Sequence, residues 1–260
     1  MTPPATRKGA RRGADIPAGL LDALSLGTVQ SATLVEGLAV DQARLLNAVF
    51  PALPAPVLAQ AAQVCARGIL QRMHGMGSLL FAALGSAGID TCRGHASDTV
   101  RGWACFMVAA QPSLDLAARL DAIRPLADDA HFGVREWAWM ALRPHLVAEL
   151  DAAIERLAGW TSQPSERLRR FACEALRPRG VWCAHIAAFR QQPERGLPLL
   201  EPLRADPSAY VQDSVANWLN DAAKTQPDWV RSLCAQWLQG EPQAATRRIC
   251  QRGLRSLPRS

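Results

Sequence analysis

Ser165-Glu166-Arg167-Leu168-Arg169-Arg170-Phe171-Ala172 is a pattern that the chain repeats. A short polar turn is followed by an aliphatic residue, usually an arginine, and a small residue four positions after the aliphatic one. Upstream it occurs as Ser97-Asp98-Thr99-Val100-Arg101 with Ala104, and as His131-Phe132-Gly133-Val134-Arg135 with Ala138. Downstream it returns as Ser208-Ala209-Tyr210-Val211-Gln212 with Val215. A weaker copy is Gln243-Ala244-Ala245-Thr246-Arg247 with Cys250. The position filled first by Val100 recurs at spacings of 34, 34, 43 and 35 residues.

A period of this size with two helical segments per unit marks a helical solenoid of the HEAT type, because no single helix pair can bury its apolar face alone. The expected fold is therefore all-α: a HEAT-like solenoid with a concave DNA-binding face. The polar turn starts the second helix of each pair, with Asp98, Ser165 or Ser208 able to cap it. Equivalent arginines then align along one surface, usually the concave one. Two roles stay open for them: a row of phosphate contacts, or structural arginines that bond acidic residues in the next turn.

Outside the repeats the pattern is looser. Residues 1–15 hold Pro3, Pro4, Arg7, Lys8, Arg11 and Arg12 with little to bury, and read as a disordered basic tail. Residues 16–260 read as one helical-repeat domain, less regular over 16–90 and repeating from about 90 to 255. The expected early helices lie near 18–27, 28–36, 41–49, 55–72 and 77–87. Pro51, Pro54 and Pro56 interrupt them, and Gly75 and Gly77 interrupt them again.

Composition narrows the functions. Hydrophobic residues make up 49% of the 260, enough for a core, and charged residues 20%. The net charge of +6 is almost wholly arginine, with Lys8 and Lys224 the only lysines, so an anionic partner fits. Seven cysteines without C-x-x-C spacing suit free thiols in a reducing cytoplasm. No metal-ligand spacing, apolar run long enough for a membrane span, or secretory signal is present. Gly75-Met76-Gly77 follows no strand pattern and is not a phosphate loop.

Two stretches could carry chemistry. In residues 165–190, six arginines, among them Arg169, Arg170, Arg177 and Arg179, surround one inner carboxylate, Glu174. The helix should stop at Arg177, because the residue before Pro178 is pushed out of the α region. The exit turn then presents arginines beside Trp182. Glu174 could equally pair with Arg170 or Arg177, and Trp182 could equally anchor the core. In residues 210–224, Asn217 and Asp221 share a helix face. There the alternatives are a bond from Asn217 to the adjacent repeat and a pair between Asp221 and Lys224.

Leu168-Arg-Arg-Phe-Ala-Cys-Glu-Ala-Leu-Arg-Pro-Arg-Gly-Val-Trp182, Leu197 to Val211, and Ser214-Val-Ala-Asn-Trp-Leu-Asn-Asp221 with Lys224 resemble the AlkC branch of bacterial DNA alkylation-repair glycosylases, relatives of the AlkD proteins. The resemblance covers about a quarter of the chain. It implies excision of cationic alkylated bases of the 3-methyladenine type from duplex DNA without base flipping, needing no metal or cofactor. It also implies a monomer in the bacterial cytoplasm, at the nucleoid when bound to DNA, with no membrane association. Mapped onto matching positions, Glu174 and Asp221 are the catalytic carboxylates. Trp182, His131, Arg135, Arg169, Arg170, Arg177, Arg179, Asn217 and Lys224 bind the DNA or the lesion. The alternatives are a catalytically altered DNA-binding relative and a protein-interaction scaffold.

The chain departs from the family pattern at three places. His131 stands where the family has an acid, Gln212-Asp213 where it has two arginines, and Val181 where it has a proline.

Overall fold

The structure, a computed structural model, describes residues 7–258. Among the described residues all regular structure is helical. A 3-10 turn at Gly13–Asp15 precedes fifteen helices. They are α1 (Ala18–Ser25), α2 (Leu34–Ala39), α3 (Gln42–Val49), α4 (Ala55–Cys65), α5 (Ile69–Arg93), α6 (Asp98–Ala110), α7 (Leu116–Ala127) and α8 (Phe132–Ala148). There follow α9 (Leu150–Ala158), α10 (Glu166–Glu174), α11 (Ala187–Gln191), α12 (Leu197–Leu200), α13 (Ala209–Ala223), α14 (Pro227–Trp237) and α15 (Ala244–Gly253). No described helix is long and apolar enough to cross a membrane. The chain divides into two compact units, one ending at Leu114 and adding Asp129–Ala141, the other formed by Asp115–Asp128 and the residues from Leu142 on.

In the first unit, residues 1–6 of the expected tail lie outside the described residues. From Arg7 the segment is tied down. The Arg7 guanidinium donates to both oxygens of Glu36 at 2.8 and 2.6 Å, and the Ala10 and Ala32 backbone N–H groups donate to the same carboxylate. These hydrogen bonds outweigh burial and hold Glu36 at about 2. α3 matches the periodicity and α4 starts where expected, since Asp41 caps Arg44 N–H and Pro56 occupies the first turn of α4. However, α4 ends at Cys65 rather than running to 72, and α5 begins at Ile69.

The expected break at Gly75 and Gly77 does not occur. α5 runs through both, because Gly77 lets it approach α6 closely: a Cβ there would lie 2.4 Å from Phe106 Cβ and 2.5 Å from its carbonyl carbon. The interruption falls instead at Gly85, where φ is +60°. Beneath α5 and α6, Met73, Met76, Leu80 and Trp103 are fully buried, and the Trp103 indole donates to Gln42 at 3.1 Å. Gly77→Ala is expected to destabilise the protein by about 1–3 kcal/mol, read as a shift of the urea midpoint.

The repeat motif has the predicted place, immediately before or at the start of α6, α8, α10, α13 and α15. Ser165 and Ser208 cap as expected, accepting from Arg167 and Tyr210 N–H. Asp98 does not cap α6. It lies inside the helix, and its carboxylate accepts from Ser31 N–H and the Ser31 hydroxyl.

The repeated arginines turn back on their own entry turns. Arg101 donates to the carbonyls of His95 and Ala96, Arg135 to Asp129 and Ala130, and Arg169 to Gln163 and Pro164, each pair six and five residues upstream. Gln212 reaches the Asp206 carbonyl, and Arg247 that of Pro242. Carbonyls outside a helix have no ladder partner, and a charged donor satisfies them strongly. Arg101 and Arg169 also bind Asp129 and Asp206, acids of the following turn, so the structural role holds for both.

In the second unit α10 packs on α13 and α13 on α15. Their core includes Phe171, Trp218, Val215 and Ile249, with Trp218 set at 5.3 Å edge-on to Phe189 and donating to the Leu176 carbonyl.

Candidate active site

Glu174 is the last residue of α10, and α10 ends three residues before the expected Arg177. The Arg177 N–H bonds the Glu174 carbonyl at 3.2 Å, an i to i+3 contact that tightens the last turn. Arg143, from the part of α8 that belongs to this unit, takes over the freed carbonyls. It donates to Ala175 at 2.8 Å, Arg177 at 2.6 Å and Ala184 at 3.2 Å. Proline exclusion and these three bonds together end the helix early.

The early stop swings Arg177 across to α13. Its Nη1 donates to Glu174 Oε1 at 2.8 Å, while Nε and Nη2 donate to Asp221 Oδ2 at 3.1 and 2.8 Å. The two carboxylates are 44 residues from arginine to acid on one side and three on the other, and one guanidinium joins them. Both acids are 4% exposed. Ser214 donates its hydroxyl to Glu174 Oε2 at 2.6 Å, and Arg170 lies 3.6 Å from that oxygen. Burial pushes Glu174 up, but Arg170, Arg177 and Ser214 outweigh it, so its carboxyl sits below the ordinary range. Arg177 loses by burial and gains more from the two acids, which raises it further. Lys224 lies 3.3 Å from Asp221 Oδ1. Cys173, buried beside Glu174, is pushed up to about 12 by that burial, which makes it a poor nucleophile.

The loop after Arg177 carries the aromatic. Cys183 N–H bonds the Gly180 carbonyl, closing a turn whose third position is Trp182. That position favours glycine, yet Trp182 holds it at φ +60°, alone among the described non-glycine residues. Its side chain is 46% exposed, so Trp182 is no core anchor, and Val181 beside it is exposed as well. Arg143→Met is expected to cost about 3 kcal/mol, because three carbonyls lose a charged donor. Chemical denaturation reads the cost, and faster proteolysis at residues 179–184 reads the loosened loop.

The remaining sequence-derived residues divide. Arg170 stacks over the Tyr210 ring at 4.4 Å. Arg179 has a buried Nε with no hydrogen-bond partner among the described residues. Asn217 accepts from Arg255 at 2.9 Å, not from the backbone of the next repeat; that bond is made by Asn220 to the Gly253 carbonyl. Arg169 is occupied by its turn and by Asp206. His131 and Arg135 belong to the first unit. His131 Nδ1 accepts from Gly133 N–H and Nε2 contacts the Ser31 carbonyl at 2.7 Å. Nδ1 also lies 3.7 Å from Asp98 Oδ2.

Sequence reasoning missed Arg143 and Ser214. The signal for Arg143 was present: Ala141-Leu142-Arg143-Pro144 recurs as Ala175-Leu176-Arg177-Pro178, 34 residues on. Both arginines reach into the next repeat. Ser214 carries no local signal, since only the packing of α10 on α13 brings it to Glu174.

Known proteins share this arrangement of helices. The family model described as DNA alkylation repair enzyme matches residues 107–250, more than half the chain. An uncharacterized protein of Bacillus subtilis, YhaZ, is 37% identical over 122 residues, which is 47% of this chain and 33% of that protein. The Pseudomonas fluorescens alkylpurine DNA glycosylase AlkC, solved bound to DNA containing an abasic site analog, superposes with a TM-score of 0.67 at 28% identity. That match covers 85% of this chain and 62% of AlkC. AlkD2 of Streptococcus mutans shares the fold, with a TM-score of 0.61 at 18% identity over 78% of this chain and 98% of AlkD2. The chain thus spans about a third of YhaZ and 62% of AlkC. With its helical repeats and a family match running from α6 into α15, the chain belongs to the DNA alkylation repair enzyme family.

Proposed function

We propose that the protein is a monofunctional DNA glycosylase that hydrolyses the N-glycosidic bond of cationic alkylated purines, 3-methyladenine above all, in duplex DNA without flipping the base. One observation carries the reading: Glu174 and Asp221, from different helices, meet on the single guanidinium of Arg177, directly before a loop that exposes Trp182.

The chemistry needs little else. N3-alkylation places positive charge on the purine and weakens its bond to C1′. As that bond breaks, its electrons pass to the base, which leaves neutral, and C1′ acquires oxocarbenium character. Two ionised carboxylates stabilise that cation, and one of them orients the attacking water. The water oxygen bonds C1′, and its proton passes to the carboxylate and then to solvent. The exposed Trp182 face attracts the cationic base or the adjoining sugar.

In the free protein the acids are held by Arg177, Arg170 and Lys224. Lys224, the most exposed of the three, can turn from Asp221 to a phosphate as the duplex docks, while Arg177 and Arg170 keep the pair ionised. Arg179 lies in the loop that carries Trp182, and Asn217 lies one helical turn before Asp221 on α13. Arg135 and Arg169 hold the entry turns of their own repeats.

Incubation with a duplex carrying 3-methyladenine, with the free base measured by chromatography, tests the reading. Release above the spontaneous rate is expected. Duplex binding that weakens steeply with salt but yields no release would make the protein a binding-only relative. No affinity for duplex at low salt would leave only a protein-interaction scaffold.

A further inference from the structure

The C-terminal helix faces α13 with a row of arginines that the reading above leaves unused. Arg248, Arg252 and Arg255 follow one another at helical spacing along α15 and just past its end. They meet a matching stripe of α13, Asp213 and Asn217, which continues to Asp221. Arg248 Nη2 donates to Asp213 Oδ1 at 2.7 Å and Nη1 to Gln212 Oε1 at 3.2 Å. Arg252 Nε stands 3.2 Å from the same Asp213 oxygen but makes no hydrogen bond. Arg255 donates to Asn217 and, through its other Nη, to the Arg252 carbonyl.

Two guanidiniums, those of Arg248 and Arg252, thus share one carboxylate, Arg255 stands beside Arg252, and the three cations repel one another. Burial and then the charge of Arg252 lower the affinity of Arg255 for its proton, though an arginine stays charged at neutral pH. The Asp213, Arg248 and Arg252 side chains are each more than a third exposed. Ion pairs so exposed are too weak in water to withhold guanidiniums from a competing anion. A phosphodiester offers acceptor oxygens in the forked geometry that arginine matches. A chain of phosphates also suits a row of cations along a helix.

We propose that Arg248, Arg252 and Arg255 form a phosphate-binding surface for the backbone of duplex DNA, and that Asp213 is its resident competitor, lowering affinity for undamaged duplex. The proposal depends on the preceding reading only in taking duplex DNA as the polyanion.

Fluorescence anisotropy with an undamaged 25-base-pair duplex over a salt series tests it. Asp213→Asn is expected to tighten Kd by about three- to tenfold, since it frees two cations without removing side-chain volume. Arg252→Gln with Arg255→Gln is expected to weaken binding and to flatten the log Kd against log salt slope by about 0.9 for each phosphate lost. An unchanged Kd in Asp213→Asn, or an unchanged slope in the arginine variant while its Tm stays at the wild-type value, would overturn the proposal. If the arginine variant unfolds, Asp213→Asn alone decides. The two readings fail separately. Release of 3-methyladenine with no response to Asp213→Asn keeps the glycosylase and removes this surface. A tightened Kd without base release does the reverse.

Discussion

Glu174→Gln and Asp221→Asn are each expected to slow single-turnover release of 3-methyladenine by about 10²–10³-fold without weakening duplex affinity. Each substitution keeps shape and hydrogen-bonding reach but removes the negative charge that stabilises the cationic transition state. The acids are nearly buried, where a charge acts through a lower dielectric than water and its loss is felt more. Phosphate affinity rests on arginines, which both variants retain. The double variant should lose much less than the product of the single losses, because the two acids share Arg177 and act as one unit. Release within threefold of wild type in both single variants would remove the pair from the mechanism, whatever the protein does to DNA.

The second large effect is on stability. Arg177→Met is expected to destabilise the fold by about 3–5 kcal/mol, because it removes the cation that bridges two buried carboxylates and its hydrogen bonds to both. Its pH dependence carries the sign. In the wild type Glu174 is held below its ordinary value of 4.5. Its contribution is therefore present above that value and is lost as the pH falls through the lowered one. Without Arg177, burial of Glu174 is opposed only by Arg170 and Ser214, so its carboxyl rises from the lowered value. The loss of stability on acidification should therefore be shallower in the variant than in the wild type. Thermal melts of both proteins between pH 4 and 7 read this as a difference in slope, which other carboxylates common to the two do not affect. Adding Glu174→Gln should recover part of the loss. A variant melting within about 3 °C of wild type at every pH would show that the acids are satisfied without Arg177.

The solenoid was legible because its information is local and repeated. Val100, Val134, Leu168 and Val211 mark successive turns, and each opens a helix at the expected place. The role of the arginine beside them was left open between phosphate and structure. Its bonds run only six and five residues upstream, so the same sequence pattern contains both partners. The glycines of α5 misled for the opposite reason. Gly77 breaks a helix in isolation, but α6 demands the missing side chain, and that demand lies 29 residues away at Phe106.

The candidate site was legible in part. Glu174 and Arg177 are three residues apart, so their pair could be read from spacing. The exposure of Trp182 could not, since the same motif suits a core anchor or a rim. Nor could the swing of Arg177 to Asp221, which needs α10 to end at Glu174. That ending depends on Arg143, a residue from another helix.

By itself, then, the sequence determined the helical repeat, the starts of its second helices and the short-range pairs on each, because backbone hydrogen bonds and side-chain contacts within a helix act over a few residues. The tertiary structure alone decided that Arg177 joins Glu174 to Asp221, that Arg143 braces the exit loop, and that Arg248 and Arg252 of α15 converge on Asp213. Those contacts join residues about 30 to 45 positions apart, and only the packing of one repeat on the next brings such residues within the few ångströms at which charges and hydrogen bonds act.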